Sequence, residues 1–141
     1  MTSSRQPLHV FFAYAHDDKR AIRNLYNRMV REGVQVWLDE EKILPGQDWE
    51  YEIRKAIRRS DVIIVCLSKQ FSRQRGYRQK ELRIALEEAN LLPEGAVFII
   101  PVRLEECDVP ENLRRWQYVD LFEPDGFKKL MRAIRGRATS V

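Results

Sequence analysis

The chain has 141 residues, a length expected for one globular domain. Of these, 44% are hydrophobic, which is ordinary, and 33% are charged, which is high. Its 25 basic and 21 acidic residues leave a formal net charge of +4, which permits contact with an anionic partner. The basic residues form no long run and alternate with acids, however, which argues against a nucleic-acid partner. Two cysteines, Cys66 and Cys107, are too few for a disulfide framework, and neither histidine has a companion at metal-ligand spacing. With no signal peptide and no membrane-length apolar run, we expect a cytoplasmic protein with no metal site.

Five short apolar segments alternate with segments of helical periodicity. The predicted strands are residues 8–15, 34–38, 62–67, 96–102 and 117–121. The predicted helices are residues 19–32, residues 48–60, a helix that begins near residue 77, and residues 125–135. Residues 1–7 and 136–141 are predicted polar tails. This alternation favours a flavodoxin-like three-layer α/β domain, with a five-stranded parallel sheet in the order 2-1-3-4-5.

The third predicted strand, VIIVCL at 62–67, is apolar throughout, which is typical of a strand buried on both faces. Ser68 ends it, residues 69–76 form a predicted polar loop, and the helix that follows carries Glu81 in its first turns. Glu81 should therefore lie near the carboxyl edge of the sheet, where open α/β sheets bind ligands. By residue type alone, a solvated glutamate paired with a neighbouring base is the commoner role.

Aspartate and glycine residues also predict where helices begin and end. Asp17 and Asp18 can cap the first helix and Asp48 the second, because aspartate accepts hydrogen bonds from free N–H groups at a helix start. Gly33 is placed to end the first helix. Gly46, in a loop at 39–47, should supply an unusual backbone angle.

Several common sites are excluded by their missing motifs. No GxGxxG follows a strand and no GxxxxGK[ST] is present, which excludes a dinucleotide fingerprint and a P-loop. A phosphoacceptor receiver domain has the same fold, but it needs an aspartate at the end of the third strand. Here that position reads Cys66-Leu67-Ser68, and Cys66 is expected to be a small core residue.

Four segments, FFAYAHDD, VWLDEEKILPGQDW, DVIIVCLSKQFSRQRGYRQKEL and FIIPVRL, resemble the successive boxes of a Toll/interleukin-1 receptor (TIR) domain, especially of its bacterial branch. The resemblance covers about 8–135. It implies that residues 39–47 are the BB loop, with which TIR domains self-associate and cover their substrate cleft. It also implies cleavage of NAD⁺, as substrate and with no further cofactor, at the nicotinamide–ribose bond.

Enzymatic TIR domains use the glutamate of a Trp-x-x-x-Glu motif, and the matching residues here are Tyr77 to Glu81, with tyrosine in place of tryptophan. The substitution keeps an aromatic residue one helical turn before the acid. TIR domains of the scaffold type usually lack this glutamate. A single carboxylate is sufficient chemically, because nicotinamide leaves as a neutral group and only the oxocarbenium-like ribose needs stabilisation.

The resemblance and the expected position at the sheet edge suggest further residues around Glu81. The predicted substrate-binding residues are Ala13, Tyr14, Asp39, Gly46, Trp49, Ser68 and Tyr77. Alternatives remain for three of them: Tyr14 can be an edge-of-core tyrosine, Trp49 the first anchor of its helix, and Ser68 a strand cap. The predicted assembly residues are Ile43, Leu44, Pro45 and Gly46, which either form an exposed contact surface or fold back onto their own domain.

Three functions are compatible with these residues. The first is an NAD⁺-cleaving hydrolase or cyclase in bacterial immunity or host interference. The second is a non-catalytic module that assembles head-to-tail with other TIR domains, with a fused or separate sensor domain. The third is a nucleic-acid binder, which would require binding with a steep salt dependence. Glu81 separates the first function from the second.

Overall fold

A five-stranded parallel sheet organises the domain. The computed structural model describes residues 8–38, 43–73, 77–91, 93 and 98–140. The strands are β1 (His9–Ala13), β2 (Gln35–Trp37), β3 (Val62–Leu67), β4 (Phe98–Arg103) and β5 (Val119–Asp120). They are all parallel and lie in the order β2-β1-β3-β4-β5. The flavodoxin-like fold and the strand order predicted from the sequence are confirmed.

Helices cover both faces of this sheet. They are α1 (Lys19–Arg31), α2 (Trp49–Arg58), α3 (Lys69–Arg73), α4 (Tyr77–Leu91) and α5 (Gly126–Ser140), with 3₁₀ turns at His16–Asp18 and Glu111–Leu113. α1 and α5 pack on one face, and α2 and α4 on the other. Within the described ranges, none of the helices is long and apolar enough to cross a membrane.

The central strand β3 is buried along its whole length, as its continuous apolar sequence predicts. Successive side chains of a strand point to opposite faces, so Ile64 and Cys66 belong to the core under α1 and α5. Ile63 and Val65 belong to the core under α2 and α4. Cys66 is fully buried and is therefore a core residue; burial also raises the pKa of its thiol, which disfavours the nucleophilic thiolate.

Two of the predicted helix signals are confirmed and one is wrong. Gly33 follows α1 with φ +87°, and the carboxylate of Asp48 accepts a hydrogen bond of 3.0 Å from the Tyr51 N–H. The side chain of Asp18 makes no cap at the start of α1. Its carboxylate instead accepts a hydrogen bond from the Ser68 hydroxyl.

The structure also corrects three boundaries. Part of the predicted polar loop after β3 is the short helix α3, because the Phe71 N–H donates to the Ser68 hydroxyl at 3.0 Å and the Phe71 side chain is buried. α5 runs to Ser140, past its predicted end at 135 and into the predicted tail. It starts at Gly126, one residue after the predicted start at 125, and this position needs a glycine because a Cβ there would collide with the Asp120 carbonyl oxygen.

Candidate functional site

The candidate site lies at the carboxyl edge of the sheet, on the side covered by α2 and α4. Val65 of β3 is paired with Ala13, the last residue of β1, and with Pro101 of β4. α4 begins at Tyr77, as predicted, and contacts both α2 and β1. Glu81 is its fifth residue, about 6 Å along the axis from the helix start. The fold therefore places residue 81 near the sheet edge at which ligands bind in this class of fold.

Ala13 and Tyr14 lie on opposite sides of the sheet, because successive residues of an extended chain alternate. Ala13 is buried in the same core cluster as Leu82 and Ala85 of α4. Tyr14 is only 1% exposed and packs with Ile22 under α1 and α5. The structure therefore favours its alternative role as an edge-of-core tyrosine, and its substrate contact stays a prediction.

Ser68 connects two segments at the sheet edge. It is 1% exposed; its hydroxyl donates to the Asp18 carboxylate and accepts from the Phe71 N–H. Burial raises the pKa of Asp18, although the hydrogen bond from Ser68 opposes that shift. The geometry thus favours the capping role of Ser68, and its substrate contact stays a prediction.

The loop before α2 combines a turn with one exposed apolar side chain. The Leu44 N–H donates to the Gln47 side-chain oxygen at 2.7 Å, and Gly46 has φ +88°, which confirms its predicted backbone role. The Leu44 residue is 61% exposed. Ile43 is half-buried and packs against the core under α2 and α4. Of the two apolar assembly residues, only Leu44 has the expected exposure, because Ile43 folds back.

The remaining predicted residues have different outcomes. Trp49 begins α2 and packs partly buried against the cluster that contains Ala13. Pro45 is exposed next to Gly46. Tyr77 is the first residue of α4, and its substrate contact stays a prediction. Asp39 lies outside the described residues.

An ion network between α2 and α4 escaped the sequence analysis. Glu88 is 3% exposed and accepts hydrogen bonds of 3.0 Å from Arg54 and of 3.0 and 3.2 Å from Arg58. The hydrogen bond from Arg58, followed by that from Arg54, holds the pKa of Glu88 below its usual value. Its helical spacing from Leu82 and Ala85, on the inner face, was the signal that could have predicted its burial.

A second ion pair joins the ends of β4 and β5. Arg103 donates to both carboxylate oxygens of Asp120, at 2.6 and 2.8 Å. Its guanidinium also lies 4.9 and 5.6 Å from the ring centroids of Tyr118 and Phe122.

Among the described residues, no group of three or more His, Cys, Asp or Glu side chains could hold a metal ion.

Sequence comparison identifies the family. The TIR-domain family profile matches residues 10–131, so the chain belongs to the TIR-domain family. It is 34% identical over 95 residues to the NAD(+) hydrolase TcpA of a Theionarchaea archaeon, covering 66% of this chain and 27% of that protein. It is 35% identical over 78 residues to the uncharacterized protein y4cD of Sinorhizobium fredii, covering 55% of this chain and 12% of that protein. The matches thus span less than a third of either relative.

Solved structures share the same fold. The TIR domain of the Toll-related receptor TRR-2 of Hydra magnipapillata superposes with a TM-score of 0.73 and 27% identity, covering 89% of this chain and 97% of that one. A prokaryotic SEFIR domain has a TM-score of 0.67 at 22% identity, covering 90% and 91%. The CMP N-glycosidase BcmB of Clostridium botulinum has a TM-score of 0.59 at 17% identity, covering 89% and 98%.

Proposed function

We propose that this TIR domain cleaves NAD⁺ at the nicotinamide–ribose bond, with Glu81 as its catalytic residue. The observation that carries the proposal is the position of residue 81 in the first turns of α4. This helix packs against α2 and β1, and its Leu82 shares a core cluster with Ala13, the last residue of β1. The Tyr77-x-x-x-Glu81 spacing resembles the motif of enzymatic TIR domains. The similarity to a relative named as an NAD(+) hydrolase supports the same activity.

The reaction needs little more than one well-placed carboxylate. The bond between ribose C1′ and the pyridinium nitrogen breaks, and its electron pair goes to the nitrogen, so nicotinamide leaves neutral without an acid. The ribose becomes oxocarbenium-like, and the Glu81 carboxylate stabilises that positive charge and accepts hydrogen bonds from the ribose hydroxyls. Water then adds at C1′ and loses a proton, which gives ADP-ribose. Attack at C1′ by a nitrogen of the substrate's own adenine would give a cyclic isomer instead.

The direct test is to incubate the purified domain with NAD⁺ and resolve nicotinamide, ADP-ribose and cyclic products by chromatography. We expect Glu81→Gln and Glu81→Ala to lower turnover at least about 100-fold, the scale found when one preorganised stabilising group is removed. Unfolding midpoints of the variants should match that of the wild type, since the change is in the proposed cleft. A folded Glu81→Ala domain with wild-type turnover would remove Glu81 from the mechanism.

A second candidate function, TIR–TIR assembly, is favoured by the exposed Leu44 next to Gly46. An apolar side chain at a loop tip fits a contact with a different surface of the next subunit. Such a head-to-tail contact produces open filaments unless it closes into a ring. If the contact also completes the cleft beside Glu81, turnover per molecule rises with protein concentration, as would suit a role in bacterial immunity triggered by a sensor domain.

A further inference from the structure

Glu88 is the one charged residue that is buried among those the structure describes. Burying a carboxylate is costly unless it is paired and hydrogen-bonded. Here the cost is offset by three hydrogen bonds of 3.0–3.2 Å from Arg54 and Arg58. We call these three residues, Arg54, Arg58 and Glu88, the α2–α4 clamp.

The clamp joins α4 to α2 through directional hydrogen bonds. Arg54 and Arg58 are one helical turn apart on α2, and both donate to the same carboxylate on α4. Arg58 donates from two nitrogens, a geometry that orients as well as attracts. Moving α4 by one residue would shift Glu88 by about 1.5 Å along the axis and rotate it by about 100°, which would break these bonds. The burial of Leu82 and Ala85 in the core opposes such a shift as well, but apolar contacts are less directional than these hydrogen bonds and restrict small displacements less sharply.

The same register determines where residue 81 stands. Positions 81 and 88 are seven residues apart and therefore share one face of α4. α2 and α4 run in the same direction, because each leads back from the carboxyl edge of the parallel sheet. On α4, residue 81 lies seven residues before Glu88, which is level with Arg54 and Arg58 of α2. Counting back seven residues from Arg54 and Arg58 gives positions 47–51 at the start of α2. Residue 81 is therefore level with the Asp48 cap and with Trp49, where the Gly46 loop enters α2.

We propose that Glu88 is a positioning residue for the reaction: through Arg54 and Arg58 it holds Glu81 beside the start of α2. The inference rests on the NAD⁺-cleaving function proposed above. Glu88 itself does not touch the substrate. Its loss should change the rate of the chemical step much more than substrate affinity, because a small displacement of a catalytic group is costly in the transition state.

The test compares Glu88→Gln, which keeps the shape but removes the charge, with Glu87→Gln. Glu87 is the matched control, since its side chain is 52% exposed and, among the described residues, pairs with Arg54 alone, at 3.4 Å. In Glu88→Gln we expect kcat to fall about tenfold to a hundredfold, with KM within about twofold of wild type. Glu87→Gln should keep wild-type kcat. If Glu88→Gln fails to fold, Arg58→Lys serves instead, since it keeps the charge but loses the two-nitrogen geometry and should lower kcat in the same direction.

Stability alone must be separated from positioning. Asp120→Asn weakens the two hydrogen bonds, of 2.6 and 2.8 Å, that Arg103 of β4 donates to the Asp120 carboxylate of β5. It should therefore lower the unfolding midpoint and leave kcat unchanged at temperatures below that midpoint. A Glu88→Gln domain that behaves like Asp120→Asn overturns the positioning role, as does a Glu88→Gln domain indistinguishable from wild type.

Hydrogen–deuterium exchange gives a readout that does not depend on NAD⁺. Glu88→Gln should speed exchange in residues 77–84 relative to wild type and to Glu87→Gln. If wild type cleaves no NAD⁺, the proposed function falls, and exchange alone decides whether the clamp holds the start of α4. Unchanged exchange in that segment would overturn the clamp in either case.

Discussion

The two faces of the sheet are closed in different ways. On the α1/α5 face, helix packing is apolar, with Leu25 and Leu130 in one cluster, and polar contacts occur at its margin. There Arg28 lies 3.8 Å from the Phe127 ring centroid and Arg135 pairs with Glu32. On the α2/α4 face, a buried carboxylate is built into the helix contact.

This difference between the faces bears on the proposed function. Apolar burial is strong but non-directional, and it suffices where two helices only need to be held on a sheet. Directional, charge-assisted bonds specify register as well. Among the described residues, the charge-assisted bonds to a buried carboxylate lie on the face covered by α2 and α4, next to the loop ending at Asp48. We therefore expect substitutions on the α1/α5 face to change stability, and substitutions on the α2/α4 face to change turnover.

The largest difference between the two faces should be produced by Leu130→Ala, which lowers the free energy of unfolding but not turnover. Leu130 is fully buried on the α1/α5 face, and truncating such a leucine costs about 2–5 kcal/mol of unfolding free energy. Urea denaturation measures that loss. Turnover on NAD⁺ per folded molecule should stay at the wild-type value, and reduced turnover in a fully folded sample would contradict the division between the faces.

A smaller effect is expected at Tyr77, which starts α4. Tyr77→Ala should cost about 1–3 kcal/mol in kcat/KM if a ring of the substrate stacks there, by analogy with base stacking on aromatic residues. Tyr77→Trp restores the aromatic residue typical of enzymatic TIR domains and should keep or raise kcat/KM. Steady-state kinetics on all three proteins decide the question: identical values for Tyr, Trp and Ala would make position 77 structural.

The smallest effect on the monomer is expected from Leu44→Asp. Because Leu44 is 61% exposed, the substitution should change monomer stability by no more than about 0.5 kcal/mol. If Leu44 mediates assembly, it should also abolish the rise of specific activity with protein concentration, which assays across about a hundredfold range with light scattering would follow. Gly46→Pro should also abolish this rise of specific activity with protein concentration, since proline cannot adopt φ +88° and the loop would change shape.

Leu91→Asp is the matched control for that experiment, because Leu91 is an exposed apolar residue at the far end of α4. Ile43→Asp is less informative, since Ile43 packs against the core and a charge there would disturb the loop itself. Full activity in a wild-type monomer, with no dependence on concentration, would contradict the assembly model and leave a self-sufficient enzyme.

The positions of individual side chains show where sequence reasoning ends. The alternative roles of Tyr14 and Ser68 could not be separated in the sequence, because a residue just after a strand can point to either face or cap the next turn. Only the packed structure shows Tyr14 under α1 and α5 and Ser68 bonded to Asp18, 50 residues away. The α3 helix was missed for a related reason: its start depends on the Ser68 hydroxyl and on burial of Phe71.

The sequence by itself determined the order of strands and helices, the parallel sheet and the helix that carries Glu81. These depend on hydrophobic periodicity and on capping residues, which act over a few positions along the chain. The tertiary structure alone decided how α4 lies against α2, which of Ile43 and Leu44 is exposed, and that Glu88 is buried. Those outcomes depend on contacts such as Arg54–Glu88, 34 residues apart, and the free energy of such a contact is set by burial and geometry that exist only once the helices have packed.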